Sequence, residues 1–184
     1  MHLSIKTGGL KFVIGWLSVL LIRSIPFRPP NFEPMLAVVM PFSKRYTLIS
    51  SFCFGFLGII AFDIISGYVG MWTIITALAY GFLGVWSYYF FKNRKGTTRH
   101  FVYFGIVSTL AYDAVTGLSV GPLFFGQPFL EALVGQIPFT VMHLAGTMLF
   151  SAVVSPILYR FVIEPDTLEI PVLIRNGKLL FSRF

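Results

Sequence analysis

Two aspartates in matching contexts are the residues of this sequence with the clearest chemical potential. Residues 54–67 read FGFLGIIAFDIISG, and residues 104–117 read FGIVSTLAYDAVTG. In each segment an aspartate, Asp63 or Asp113, follows an apolar run and an aromatic residue and precedes a Ser/Thr-Gly pair. A carboxylate at membrane depth costs roughly 2.5 to 3.5 kcal/mol on insertion scales unless it faces protein or water. Together the two would line a polar pocket for a cation or a hydrogen-bonding substrate; separately, each would bond its own helix-end turn.

The match between the two segments has two explanations. A duplicated helical hairpin would place both copies around a shared site, as internal repeats do in membrane transporters. Alternatively, two helices end alike because Asp and Gly suit helix ends. The sequence therefore predicts an internal hairpin repeat as one hypothesis.

A second group of polar side chains lies in the last long apolar run. His143 has Thr140 and Thr147 at helical spacing around it, and Gln136 precedes it by about two turns. A lone intramembrane histidine is more often a hydrogen-bonded packing residue, and no second His or Cys stands at ligand spacing, so no metal site is predicted. The functional hypothesis is that His143 contacts substrate deep in the pocket.

Three charged residues lie in or beside a proline-rich stretch. Glu33 follows this stretch and is placed to cap the next helix through the helix dipole. Arg23 and Arg28 would either snorkel to the headgroups or meet an anionic group of the substrate. Trp72 is typical of an interface anchor. The candidate substrate-binding residues are Asp63, Asp113, His143, Glu33, Trp72 and Gln136.

Composition indicates that these residues lie in a membrane protein. Of 184 residues, 56% are hydrophobic and 11% are charged, against roughly 25% charged in typical globular proteins. The net charge of +7 comes from short basic clusters between apolar runs, which is typical of cytoplasmic loops. Nucleic acid is therefore not an expected partner, whereas the lipid bilayer of the cell membrane is.

The apolar runs predict an all-α integral membrane protein, a six-helix bundle with both termini cytoplasmic. Residues 35–40 are too few to span, so the second helix is expected to be short or half-inserted and to end at Pro41. Residues 117–128 suggest a loop or re-entrant segment, to which residues 129–136 also belong. The predicted helices are near 10–25, 33–43, 46–65, 71–91, 101–116 and 137–160. Residues 1–163 form a single transmembrane domain, and residues 164–184 form a polar cytoplasmic tail.

No catalytic motif is present in the sequence. It has no Walker motif, nucleophile elbow, HExxH or CxxC pattern. The protein is therefore predicted not to be an enzyme, to use no cofactor, and to depend on other proteins for any work driven by ATP.

The order of these features resembles the substrate-binding S components of energy-coupling factor vitamin transporters. The resemblance rests on FEPMLA at residues 32–37 after a proline loop, a short helix, a basic turn, a span ending in Asp with Gly after it, and Trp72-Thr73 at the next span. It implies a six-helix protein that binds a vitamin or similar micronutrient on its outer side, beneath the loop at Pro26–Pro34. It also implies association with a transmembrane coupling protein and two ATPase subunits, and toppling in the membrane to release cargo.

Three other functions remain open from the residues. The first is a non-catalytic membrane scaffold of the cell envelope resembling the rod-shape protein MreD, with the same helix count and no pocket. An autonomous small permease and an intramembrane enzyme follow. A pocket predicts that Asp63, Asp113 and His143 face one another, whereas a scaffold predicts that they point separately to the interface.

Overall fold

The computed structural model describes residues 9–170, 172 and 174, and this part of the chain is helical without strands. The six helices are α1 (Gly9–Arg23), α2 (Met35–Arg45), α3 (Leu48–Ser66), α4 (Met71–Phe91), α5 (Thr98–Phe125) and α6 (Phe129–Leu158). A π-helical turn at Tyr159–Ile163 and a 3-10 turn at Asp166–Leu168 follow. The all-α prediction with six helices is confirmed, while most of the predicted polar tail lies outside the described residues.

Four of the six helices are long and apolar enough to cross a membrane: α3, α4, α5, and α6 extended to Ile163. Helix α1 has 15 residues and α2 has 11, whereas a perpendicular span needs about 20. The four long helices support the prediction of a membrane protein, and the prediction of a short second helix is confirmed.

Helix α2 lies at the centre of the bundle. Every residue from Met35 to Ser43 is buried, and α2 contacts all five other helices. It does not end at Pro41, as the sequence suggested, but continues to Arg45. A proline inside a helix leaves the carbonyl four residues earlier without its donor. Here Ser155 of α6 donates a hydrogen bond of 2.6 Å to that carbonyl, on Ala37, so the helix continues past the proline.

Two antiparallel hairpins, α3–α4 and α5–α6, pack around α2 through small residues. Gly55 and Gly84 lie directly against the backbone carbonyls of Tyr80 and Ser51 across the first hairpin, leaving no room for a Cβ. Small residues allow such close approach of helix backbones in membrane proteins. Gly55 and Gly84 therefore allow the close contact of α3 with α4 within the chain.

The second hairpin differs from the sequence prediction of a loop or re-entrant segment at residues 117–136. Helix α5 continues through Gly117 and Pro122 to Phe125, and α6 begins at Phe129. Gly117 stays helical because the side chain of Gln136 on α6 packs directly against it. Gly and Pro are tolerated inside membrane helices when a neighbouring helix covers them, and reading them as breakers made the loop prediction wrong.

The two ends of the described chain meet at one end of the bundle. The ammonium group of Lys11, which is fully buried, donates to the carbonyls of Ile163 (2.9 Å) and Pro165 (2.7 Å) and lies 2.9 Å from the Glu169 carboxylate. The Tyr46 hydroxyl also reaches Glu169, at 3.3 Å. Burial, with the Glu169 carboxylate beside it, raises the pKa of the Tyr46 phenol above its ordinary value, so Tyr46 donates this bond. Which membrane face this end occupies stays a prediction.

Candidate functional site

A cavity of about 400 Å³ opens at the end of the bundle opposite Lys11. This volume is within the range of about 300 to 1,000 Å³ that small-molecule sites occupy. Its aromatic lining residues are Phe62, Tyr68, Trp72, Tyr80, Tyr112 and Phe139. Its polar and charged lining residues are Arg23, Arg28, Asn31, Glu33, Asp63, Thr76 and His143. These side chains come from five helices, from the α3–α4 turn and from the loop before α2, which therefore closes part of the cavity.

One ion pair joins the two ends of the loop between α1 and α2. Arg23 at the end of α1 meets Glu33 through both its Nε and its Nη2, with N to O distances of 3.1, 3.1 and 2.7 Å. Glu33 also accepts the backbone N–H of Met35 at 2.9 Å and so caps α2, as the sequence predicted. The Arg23 guanidinium lies 4.0 Å from the centre of the Phe62 ring. Glu33 is therefore a structural anchor of the loop as well as a lining residue.

Asp63 lies on the cavity wall near the last turn of α3. The hydroxyl of Thr73, at the start of α4, donates to Asp63 Oδ2 at 2.7 Å and accepts the Gly70 backbone N–H at 3.0 Å. Gly67, with φ of +73°, ends α3 in the left-handed conformation that favours glycine. The turn thus holds Asp63 at the mouth of the cavity, where the side chain is only half-buried.

Asp113 lies behind the cavity wall and reaches it through His143. The Nδ1 atom of His143 is 2.7 Å from Asp113 Oδ1, and the two residues are 3% and 1% exposed. His143 lines the cavity, whereas Asp113 does not. The imidazole edge also contacts the rings of Tyr112 and Phe139, at centroid distances of 5.6 and 5.9 Å. A carboxylate on one ring nitrogen fixes the orientation of the other.

Two buried polar atoms on cavity-lining side chains have no hydrogen-bond partner in the described part of the chain. One is Nε2 of His143 and the other is Nε of Arg28. Buried polar groups are nearly always paired, so each such atom needs a physical account. Because a carboxylate only accepts, Nδ1 carries the proton shared with Asp113; Nε2 is then an acceptor in the neutral imidazole, while Arg28 Nε–H is a donor. A ligand in the cavity with both a donor and an acceptor would satisfy the two atoms.

Four of the six predicted site residues line the cavity, and two do not. Asp63, His143, Glu33 and Trp72 line the cavity, and Asp113 supports His143 from behind. Gln136 is not among the lining residues; its amide donates to Thr140, one turn further along α6, at 3.1 Å, and its side chain packs on Gly117 of α5. Gln136 therefore has a packing role, which its spacing two turns before His143 did not reveal.

Sequence reasoning missed the three tyrosines that line the cavity, Tyr68, Tyr80 and Tyr112. The ring centroids of Tyr80 and Tyr112 are 4.9 Å apart. A signal was available for Tyr112, because it directly precedes Asp113 in the second copy of the repeated segment. Tyr80 lies in the middle of an apolar span and had no such marker.

The described residues contain no cluster of three or more histidine, cysteine or acidic side chains that could hold a metal ion. The site is a mixed aromatic and polar cavity in which Arg23 and Glu33 form an ion pair. No family model, no curated protein and no solved structure matches this chain.

Proposed function

We propose that this chain is the substrate-binding membrane subunit of an energy-coupled importer for a vitamin-like micronutrient. The observation that carries the proposal is the cavity in which Asp63, His143 and Arg28 converge from separate parts of the chain. Convergent polar groups in an aromatic cavity are the usual form of a small-molecule site. A scaffold, by contrast, predicts that these polar groups point separately to the membrane interface.

The charges around the cavity define the class of ligand. Arg23 and Glu33 neutralise one another, which leaves the Arg28 guanidinium, the Asp63 carboxylate and the His143 imidazole to meet the ligand. Such a set suits a molecule that carries an acceptor or anionic group together with a hydrogen-bond donor. The surrounding rings offer apolar faces for a flat or aliphatic portion of the same molecule.

Import by this protein would be driven by partners. The sequence has no nucleotide-binding motif, so a transmembrane coupling protein with two ATPase subunits is proposed to supply the energy. In this arrangement the basic end of the bundle faces the cytoplasm and the cavity faces outward. The loop between α1 and α2 is the proposed gate, and the Arg23–Glu33 pair would hold it closed.

The test is native mass spectrometry of the full chain purified gently from its own membranes. We expect a small molecule to co-purify and to be lost on Asp63→Asn and on His143→Gln, because each substitution removes a cavity-facing polar group. Glu131→Gln is the matched control, since Glu131 is exposed and does not line the cavity.

Two results would contradict this proposal. One is a wild-type protein that carries no small molecule and gains no thermal stability from any vitamin-class compound. The other is equal loss of ligand in Glu131→Gln and Asp63→Asn. Companion subunits released with the wild-type protein would further identify the coupling partner.

A further inference from the structure

A second cavity, of about 610 Å³, lies at the opposite end of the bundle and is called here the basic cavity. Five cationic side chains line it against one carboxylate: Lys44, Lys92, Arg94, Lys95, Arg160 and, as the carboxylate, Glu164. The cations come from three separate segments, at the end of α2, in the α4–α5 loop and after α6. The preference for basic residues in cytoplasmic loops explains their sign, but it does not explain their convergence around one cavity.

Two of the five cations, and the backbone of the loop at Gly96, are held by contacts within the chain. Gly96 in the α4–α5 loop packs directly on the ring of Tyr159, where an added Cβ would lie 2.7 Å from a ring carbon. Lys44 Nζ donates to the Phe91 carbonyl at 3.0 Å, and Arg94 Nη1 donates to the Phe90 carbonyl at 2.7 Å. Each of these cations keeps further N–H donors beyond the one used, because an ammonium has three and a guanidinium has five.

We propose that the basic cavity binds the phosphate of an anionic phospholipid headgroup. Lysine and arginine are the side chains that bind phosphate, through point charge and through paired N–H donors. An apolar stripe on the outer face of α6 and of the π-helical turn after it ends at Phe161, which directly follows the cavity-lining Arg160 in the chain. Its four residues repeat every fourth position and are 48 to 71% exposed: Leu149, Val153, Ile157 and Phe161. The stripe offers an acyl chain a surface beside the headgroup, which favours a lipid over a free anion.

The test titrates the full chain in neutral detergent with short-chain phosphatidylglycerol, phosphatidylcholine of the same chain length, and glycerol phosphate. We expect phosphatidylglycerol to bind most tightly. Each basic residue near a membrane surface strengthens the binding of anionic lipid by electrostatic attraction. We therefore expect the loss of one such residue to weaken phosphatidylglycerol binding roughly fivefold. Lys92→Gln, Lys95→Gln and Arg160→Gln are the test variants. Arg99→Gln is the control, because it removes the same charge at an exposed position outside the cavity.

Specific outcomes decide the proposal. Retained affinity in Arg160→Lys with loss in Arg160→Gln, at unchanged thermal stability, supports a phosphate site. Equal weakening by Arg99→Gln and Arg160→Gln overturns it, because general electrostatic attraction would then suffice. Equal binding of the two lipids also overturns it. Glycerol phosphate binding as tightly as phosphatidylglycerol overturns the lipid assignment and identifies a soluble phosphate ligand.

Discussion

The two aspartate segments, residues 54–67 and 104–117, match in sequence. Their second halves differ in whether the helix ends and in how deeply the aspartate is buried. In the first copy Gly67 ends α3, and Asp63 remains half-buried at the mouth of the cavity. In the second copy Gly117 continues the helix, and Asp113 is buried against His143. The same short motif therefore gives a helix end in one hairpin and a buried hydrogen-bonded pair in the other.

The first halves of the two segments have the same structural role, which is to pack closely against the next helix. Gly55 faces the backbone of α4, and Gly105 faces Thr147 and Ser151 of α6, so each glycine brings its helix close to the next one. This likeness agrees with a repeated hairpin, which stays a prediction. We infer that the first glycine of the segment determines the close helix contact in both copies. Whether the helix ends at Asp-x-x-Ser/Thr-Gly depends instead on the packing of the neighbouring helix.

The largest expected difference between the copies is at the aspartates. Asp113→Ala should lower the free energy of unfolding by about 3 kcal/mol, because it leaves His143 buried without its partner. Asp63→Ala should cost about 1 kcal/mol, because it removes one hydrogen bond at a half-exposed site. Equilibrium unfolding in mixed detergent micelles measures both. Equal losses would show that the two aspartates have equivalent environments, contrary to the structure.

The next difference is at the first glycines. Gly55→Ala should destabilise the protein by about 2 kcal/mol, since the added methyl meets the Tyr80 carbonyl of a packed helix backbone. Gly105→Ala should cost about half as much, because the added methyl meets side-chain atoms of Thr147 and Ser151 and not a helix backbone. The same unfolding measurement compares them. A larger loss for Gly105→Ala would mean that the second hairpin is the more tightly packed.

The smallest difference is at the second glycines. Gly67→Ala should cost about 1 kcal/mol, because a side chain is strained at φ of +73°. Gly117→Ala should change stability by less than about 0.5 kcal/mol, since the better helix propensity of alanine offsets the shift required of Gln136. Thermal unfolding of the two single variants resolves this. A strongly destabilised Gly117→Ala would show that Gln136 cannot move.

Hydrophobic runs were enough to predict the number and type of the helices. The thickness of the bilayer sets the length of an apolar helix, and basic residues mark the loops between helices. The interior of the bundle was harder to predict. Pro41 was read as a helix end, and only the position of Ser155 on a distant helix explains why the helix continues. No single-sequence pattern encodes that pairing.

The candidate site was predicted in part for a similar reason. Asp63 and His143 were identifiable because polar residues are rare in apolar runs, and Glu33 because it stands just before a short helix. Gln136 carried the same signal but packs on Gly117, so polarity alone did not separate a packing residue from a lining residue. The orphaned Arg28 Nε depends on how the loop folds over the cavity, which residue spacing does not determine.

The buried position of α2 has a consequence for how the protein is made. An 11-residue helix is about 16 Å long, against a hydrocarbon core of about 30 Å. Alone in the bilayer it would leave polar helix ends exposed to lipid. Helices α3, α4 and α6, which cover it in the finished fold, are synthesised after it. During biogenesis α2 must therefore remain at the membrane surface or within the insertion machinery until the later hairpins are synthesised and enclose it.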